Sequence, residues 1–454
     1  MNSGRSAMHF NEIMHDKNLQ ITGSIILFLF IIGNLVEFIY SYHKRKQYYS
    51  YQTFLINISI ALLQQLTDAF NKIIFFTGFV FVQEHYSIQR LLHWNEMEID
   101  FPFMLSSRFP FLEVSWYMLI VWLFILVLVD FCQYWLHRLS HEVNILWAGH
   151  IVHHSMEEYN YTVALRQSFI ESIYTWIFYL PLAFFGIPWQ LFIMAYAVSL
   201  IWQFFVHTQL VGKLGLLEKI LATPSHHRVH HGKNPQYIDK NYGAFFIVWD
   251  KVFGTFEPEV EAVDYGITVP LQTQNPIWVN IHHHLHIFRM MVKTKGFINK
   301  WKVFFDKPAF IPLDIESEYQ KLKLLAKPKE IRLPAVKSVY LFFNFFFTAL
   351  SGFLLVQYFE ATLNIGLFLP LALLIAVSFA VNIALMEQKK WADYAEVLKL
   401  LSVLVMGLWM FFTNTSNLTM AIFIITTATV MLAYTWVIAK MYRKNLVLLN
   451  KRNY

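Results

Sequence analysis

The stretch that decides the fold reads Trp116-Tyr-Met-Leu-Ile-Val-Trp-Leu-Phe-Ile-Leu-Val-Leu-Val-Asp130-Phe-Cys-Gln-Tyr-Trp-Leu-His137-Arg-Leu-Ser-His141-Glu142. From Trp116 to Trp135 it has the length and apolar character of a helix that crosses a bilayer. Without interruption it then carries two histidines spaced i, i+4, which share one helix face. The rest of the chain agrees with a membrane reading. Of its 454 residues 56% are hydrophobic, 18% aromatic and only 15% charged, against about 25% charged in an average soluble domain. This excludes a disordered chain and an ordinary soluble globule. The single cysteine, Cys132, leaves no internal disulfide possible, which points to polar parts in a reducing compartment. The net charge of +6 is explained by basic cytoplasmic loops, and nucleic acid is not expected as a partner.

Outward from this stretch, the chain predicts an all-α polytopic integral membrane protein with about eight or nine spans. The first twenty residues are polar and lack the pattern of a secretory signal. Ile21 to Tyr42 is a span closed by His43, Lys44, Arg45 and Lys46, which places its C-terminal end in the cytoplasm. Phe54 to Val82 is a second hydrophobic stretch, either one tilted helix or a re-entrant pair, interrupted by Gln64, Gln65 and Asp68. Phe169 to Val206 predicts two spans separated around Gly186, Ile187 and Pro188. Residues 207 to 335 hold no spanning run, and Leu214 to Leu221 and Ile287 to Phe305 have the mixed spacing of helices lying in the headgroup plane. Four apolar runs follow between 339 and 438, then a basic tail. Three regions are expected: N-terminal membrane helices (1–110), a histidine-bearing catalytic region (111–335) and a C-terminal four-helix membrane region (336–454).

Most of the nineteen histidines lie between His137 and His286, and eight fall into three tight patterns. These are His137 and His141; His150, His153 and His154; and His227, His230 and His231. The i, i+3 and i+4 spacings put imidazoles within reach of a common ion, and all three patterns arrive at one membrane face if the hairpin between them is complete. One ion takes three or four protein ligands, so eight imidazoles imply two ions. With neutral nitrogen donors and almost no cysteine, a non-haem diiron centre fits and an iron–sulfur cluster does not. His207, at the end of a span, is a candidate ninth ligand. Glu142 follows His141 directly and either serves the metal or is a solvated loop charge. His282, His283, His284 and His286 are read as facing solvent or headgroups. Asp130, a carboxylate near the end of a span, predicts a supporting or helix-pairing role.

The three histidine patterns resemble the boxes of the membrane fatty acid hydroxylase superfamily, which includes sterol desaturases. Their surroundings, Trp147-Ala-Gly-His150-Ile-Val-His-His-Ser-Met-Glu-Glu-Tyr-Asn160, Ala164-Leu-Arg-Gln-Ser168, Thr223-Pro-Ser-His-His-Arg-Val-His-His-Gly232, Asp239-Lys-Asn-Tyr-Gly243 and Trp249-Asp-Lys-Val-Phe-Gly-Thr-Phe256, look like those of the ether-lipid-cleaving branch, the alkylglycerol monooxygenases. The resemblance implies diiron ligation by His137, His141, His150, His153, His154, His227, His230 and His231, and an essential carboxylate at Glu142. It further implies cleavage of the ether bond of alkylglycerols by hydroxylation of the carbon next to the ether oxygen, giving a fatty aldehyde and a glycerol derivative. Molecular oxygen is then the oxidant and tetrahydrobiopterin the reductant, regenerated by a separate enzyme. The host membrane would be the endoplasmic reticulum in a eukaryote or the cytoplasmic membrane in a bacterium. A pocket opening sideways to lipid is expected, walled by aromatics such as Trp116, Phe124, Trp176 and Trp202. Two other readings stay open: a sterol or fatty acyl hydroxylase or desaturase with the same ligands, and a histidine-rich metal transporter, which would need its histidines at mid-membrane depth.

Overall fold

A computed structural model of the protein describes residues 17–92, 116–313, 333–413, 422 and 424–433. It is all-helical among these residues, with two isolated β-bridges, Leu221 with Phe246 and Gly232 with Tyr265. The chain forms two compact units, Met1–Pro270 with Asn280–Ala326, and Leu271–Val279 with Lys327–Tyr454.

In the first unit the long helices are α1 (Lys17–His43), α2 (Tyr51–Tyr86), α3 (Trp116–Glu142) and α5 (Trp189–Val206), with α4 (Asn144–His154) directly after α3. Helix α2 is continuous over 36 residues, which decides for one helix over a re-entrant pair. Ser50 caps its start by accepting from the Thr53 amide at 3.1 Å. Helix α3 runs for 27 residues, about 40 Å at 1.5 Å per residue, longer than the hydrocarbon core is thick. Its last turns therefore carry His137 and His141 beyond the apolar stretch. Val143 then takes an extended conformation and turns the chain at once into α4, so the first two histidine patterns meet by local geometry.

The core lies between α2, α3, α5 and the segment before α5. Phe79, Leu126, Val129, Tyr179, Leu182, Phe192 and Ala195 are buried together there. A smaller cluster of Ala148, Ile287, Met290 and Val303 covers α4. Ala148 belongs to α4 itself, and the other three come from α8 (Pro276–Lys293) and α9 (Phe297–Phe305), the elements after the short helices α6 (Pro224–His230) and α7 (Val248–Phe253). Asn144 fastens the cover, since its amide donates to the Asp306 carbonyl at 3.0 Å and its side chain to the Val303 carbonyl at 2.8 Å.

The second unit contains α10 (Ala335–Thr362), α11 (Ile365–Met386) and α12 (Ala392–Thr413). Among the described residues six helices are long and apolar enough to cross a membrane: α2, α3, α5, α10, α11 and α12. The protein is an integral membrane protein, but the expected eight or nine spans are not reached in these residues. The run from Phe169 to Phe185 is not one span. It is broken into Ser172–Thr175, a 3-10 turn Trp176–Tyr179, and Leu180–Phe184. Pro181 cannot continue the preceding hydrogen-bond ladder. Gly186 closes the segment at φ 77°, where a Cβ would stand 2.3 Å from Gln89 Oε1. Of the last apolar run, 418–438, the described part Ile424–Ala433 is an apolar helix, and the basic tail lies outside the described residues. Of the expected interfacial helices, Leu214 to Leu221 holds only the turn Gly215–Lys219, and Ile287 to Phe305 is divided into α8 and α9 before Gly296, whose φ is 81°.

Candidate metal centre

The nine histidines converge in two buried groups. His137, His141, His150, His154 and His230 form one; His153, His207, His227 and His231 form the other. Within each group the ligand atoms all lie within 4.8 Å of one another. Helical spacing explains the division. On α4, His150 and His154 stand i, i+4 and join the first group, while His153, offset by one residue, joins the second. On α6 and its cap, His227 and His231 stand i, i+4 in the second group and His230 turns to the first. His207, the C-cap of α5, completes the second group.

Proton positions follow from partners that can only accept. His137 Nδ1 donates to the Tyr242 carbonyl at 2.8 Å, His230 Nδ1 to the Lys240 carbonyl at 2.9 Å, and His207 Nδ1 to the Gln203 carbonyl at 2.5 Å. His150 Nδ1 donates to Glu171 Oε1 at 3.1 Å. In a neutral imidazole each of these leaves Nε2 as a bare lone pair. Burial, reinforced by neighbouring rings, holds His153, His154, His227 and His231 far below the ordinary histidine pKa. Burial also pushes His207 down to about 4 and His230 to about 3, so these six rings are neutral at pH 7.

The Nε2 atoms of the rings crowd together. His154 Nε2 lies 3.3 Å from His150 Nε2 and 3.1 Å from His230 Nε2, and 3.2 Å from His141 Nε2. In the second group His207 Nε2 lies 3.1 Å from His153 Nε2 and 2.9 Å from His227 Nε2. His137 Nε2 and His231 Nε2 have no hydrogen-bond partner. A cation answers this arrangement: nitrogens held about 2.1 Å from one ion stand about 3.0–3.4 Å apart around it. The residues present fit two metal ions.

The supports were only partly foreseen. Asp130 accepts from the Phe245 and Phe246 amides at 2.7 and 3.1 Å and from Trp249 Nε1 at 2.9 Å, anchoring the loop after the third histidine pattern. Arg166 donates to the Val152 carbonyl at 2.7 Å and to Ser155 Oγ at 2.8 Å, fixing the end of α4. Arg228 makes a two-pronged pair with Glu259 at 2.7 and 2.6 Å. Glu171 and Asp239, the latter 3.7 Å from His141 Nδ1, were missed. Asp239 stands in a quoted motif, but nothing in its spacing pointed to His141. Glu142 lies outside both groups, and Arg138 Nε donates to its Oε1 at 3.1 Å. His282, His283, His284 and His286 also lie outside them, and His283 Nε2 donates to Asn144 Oδ1 at 2.8 Å. The aromatics expected to wall a pocket have mixed surroundings. Trp116 and Phe124 are 81% and 61% exposed on the outside of α3, and Trp202 Nε1 donates to the Ala222 carbonyl at 2.7 Å.

The fold and site thus define a helical membrane protein with a histidine-rich metal-type centre, and residues 122–255 match the fatty acid hydroxylase family. More particularly, the chain is similar to alkylglycerol monooxygenases. It is 48% identical to that of Xenopus tropicalis over 206 residues, 45% of this chain and 46% of the relative. It is 43% identical to that of Homo sapiens over 258 residues, 57% of this chain and 53% of the relative. Similarity extends to an ornithine lipid hydroxylase of Rhizobium tropici, 34% identical over 146 residues, 32% of this chain and 44% of the relative. The chain spans about half the length of the curated relatives it matches. No solved structure matches it.

Proposed function

We propose that this protein is a membrane diiron monooxygenase that cleaves the ether bond of alkylglycerols. The observation that carries the reading is the pair of buried histidine groups whose ring nitrogens converge at ligand separation. Similarity to alkylglycerol monooxygenases supplies the substrate class. His137, His141, His150, His154 and His230 would hold one iron, and His153, His207, His227 and His231 the other. When bound, iron supplies the activation of molecular oxygen that no protein side chain can provide.

The chain's own residues do the positioning. Carbonyls of Gln203, Lys240 and Tyr242 keep a proton on Nδ1 and so present Nε2. The buried cluster of α4, α8 and α9 keeps bulk water from that side. Glu142 holds Arg138 at the rim, one residue from His141, and its charge supports the centre from there. The net change inserts one oxygen atom into the C–H bond next to the ether oxygen. The other oxygen leaves as water, using two electrons and two protons from a two-electron reductant, for which tetrahydrobiopterin is the candidate. The hemiacetal so formed breaks its carbon–oxygen bond to give fatty aldehyde and free glycerol hydroxyl. The basic residues after α1 favour a cytoplasmic centre, which in a eukaryotic cell fits the endoplasmic reticulum and a separate enzyme that regenerates the pterin.

The test is to incubate the purified chain in lipid with iron, oxygen, tetrahydrobiopterin and an alkylglycerol. Oxygen- and pterin-dependent fatty aldehyde is the expected product. Hydroxylated sterol or acyl lipid without aldehyde would move the protein to a sibling activity.

A further inference from the structure

The two histidine groups are not supported alike. In the five-histidine group, His150 Nδ1 donates to a carboxylate, Glu171 Oε1, at 3.1 Å, and His141 Nδ1 stands 3.7 Å from a second, Asp239 Oδ1. In the four-histidine group the corresponding contacts are to neutral groups. His207 Nδ1 donates to the Gln203 carbonyl, and His153 Nδ1 lies 3.3 Å from the Gln167 side-chain amide. Among the described residues, no carboxylate is in hydrogen-bond or ion-pair contact with an imidazole of that group.

Glu171 reaches His150 through a built arrangement. Gly149, next to His150, is what lets the 171–174 segment lie against α4: a Cβ there would stand 3.0 Å from Glu171 Cβ and 2.6 Å from the Tyr174 hydroxyl. The Tyr174 hydroxyl donates to the Leu146 carbonyl at 3.0 Å. Ser168 Oγ accepts from the Ile170 and Glu171 amides at 3.1 and 3.4 Å, and the Phe169 amide donates to Asn280 Oδ1 at 3.0 Å. Glu171 is only 8% exposed, and its second oxygen, Oε2, is buried with no hydrogen-bond partner. A rigidly held buried carboxylate with one oxygen on an imidazole and the other unanswered lacks a compensating positive charge. An ion on the far nitrogen of that imidazole supplies one.

We propose that the two metal positions are chemically inequivalent and that Glu171, as the positioning residue for His150, makes the five-histidine position the stronger one. This rests on the reading of the histidine groups as metal sites. A carboxylate on the Nδ1 proton fixes the ring and increases the donor strength of Nε2. Its negative charge favours a more highly charged ion at that position, an advantage the four neutral histidines of the other group do not share.

The test uses the full chain in detergent, made metal-free and loaded anaerobically with iron-57. Iron per chain is measured as free iron is lowered, and the bound iron is examined by Mössbauer spectroscopy. The parent chain is expected to hold two ions, to lose one before the other, and to show two distinct quadrupole doublets. In Glu171→Gln, which keeps the shape and removes the charge, affinity at the stronger position should fall by about 10- to 100-fold, with its doublet alone displaced. Glu171→Asp should recover part of the affinity. A merely structural role would weaken both positions together and leave both doublets in place, which would overturn the proposal. So would a variant that binds both ions as the parent does. Cobalt(II) titration of the parent provides a check free of substitution: filling in two spectroscopically distinct steps is expected, and a single uniform step would overturn the inequivalence. A parent chain that binds no metal in either experiment would instead overturn the reading of the histidine groups themselves.

Discussion

The nine histidines of the first unit and the cluster of Tyr340, Asn344, Asn382, Glu396 and Lys399 in the second are both buried polar assemblies, and their hydrogen bonding differs in kind. Lys399 Nζ forms an ion pair with Glu396 Oε2 at 2.7 Å and donates to Asn344 Oδ1 at 3.0 Å and to Asn382 Oδ1 at 3.3 Å. Glu396 Oε1 accepts from the Tyr340 hydroxyl and, at 2.7 Å, from Asn344 Nδ2. The ammonium and the carboxylate answer each other's charge, so charge closes within α10, α11 and α12 even though Asn382 Nδ2 has no hydrogen-bond partner. The histidine groups hold no such internal answer. Four rings have a proton fixed on Nδ1, and the Nε2 atoms of three of them, His150, His207 and His230, lie 2.9–3.3 Å from other imidazole nitrogens, while His137 Nε2 has no partner. A buried polar cluster that pairs its own charges is a structural joint; one that gathers imidazole nitrogens at ligand separation is built to hold a cation.

The strongest way to break this contrast is His154→Ala. His154 Nε2 faces three other imidazoles, so its loss should reduce aldehyde formation well beyond the roughly 100-fold typical of an outer support. Assays at saturating substrate together with iron analysis would check this, and near-parental iron and activity would show that the nitrogens do not form one centre. Next in size is Lys399→Met, which leaves Glu396 buried and unpaired and should lower stability by about 3–5 kcal/mol. The double variant Lys399→Met with Glu396→Gln should recover most of that loss, because Gln still accepts from Tyr340 and Asn344. Denaturant unfolding in detergent provides the measurement. Specific activity of the folded fraction is expected to stay at the parental level in both.

Metal removal sharpens the same comparison. If ions answer the histidine lone pairs, free metal at 100 times its dissociation constant stabilises the first unit by about 2.7 kcal/mol. Hydrogen exchange should then show α4 and α6 losing protection when a chelator is added, with α10 to α12 unchanged. Equal loss in both units, or none in either, would contradict the contrast. The smallest effect is expected at Glu142, whose pair with Arg138 is partly exposed and so contributes at most about 1 kcal/mol to stability. Glu142→Gln should melt with the parent while turnover falls about 10- to 100-fold. Full turnover would leave it a surface charge.

How much of this was legible depends on the distance over which each feature is written. The apolar runs announced a membrane protein, because a bilayer demands about 20 apolar residues in sequence wherever the helix packs. The i, i+3 and i+4 spacings announced histidines gathered on shared faces, and the one-residue offset of His153 and His230 already contains the division between the two groups. Helix period is a local property, so local sequence carries it. Tertiary structure alone decided what spacing does not encode. It placed His207 with His153, His227 and His231, and Glu171 against His150 across 21 residues. It put Asp130 on the Phe245 amide across 115 residues, and gathered Asn344, Asn382 and Lys399 from three helices. It also broke the apolar run 169–185 into short turns, where hydropathy alone reads a span. Supports such as the Lys240 and Tyr242 carbonyls are backbone atoms that every residue possesses, and only the folded chain shows which of them meets an imidazole.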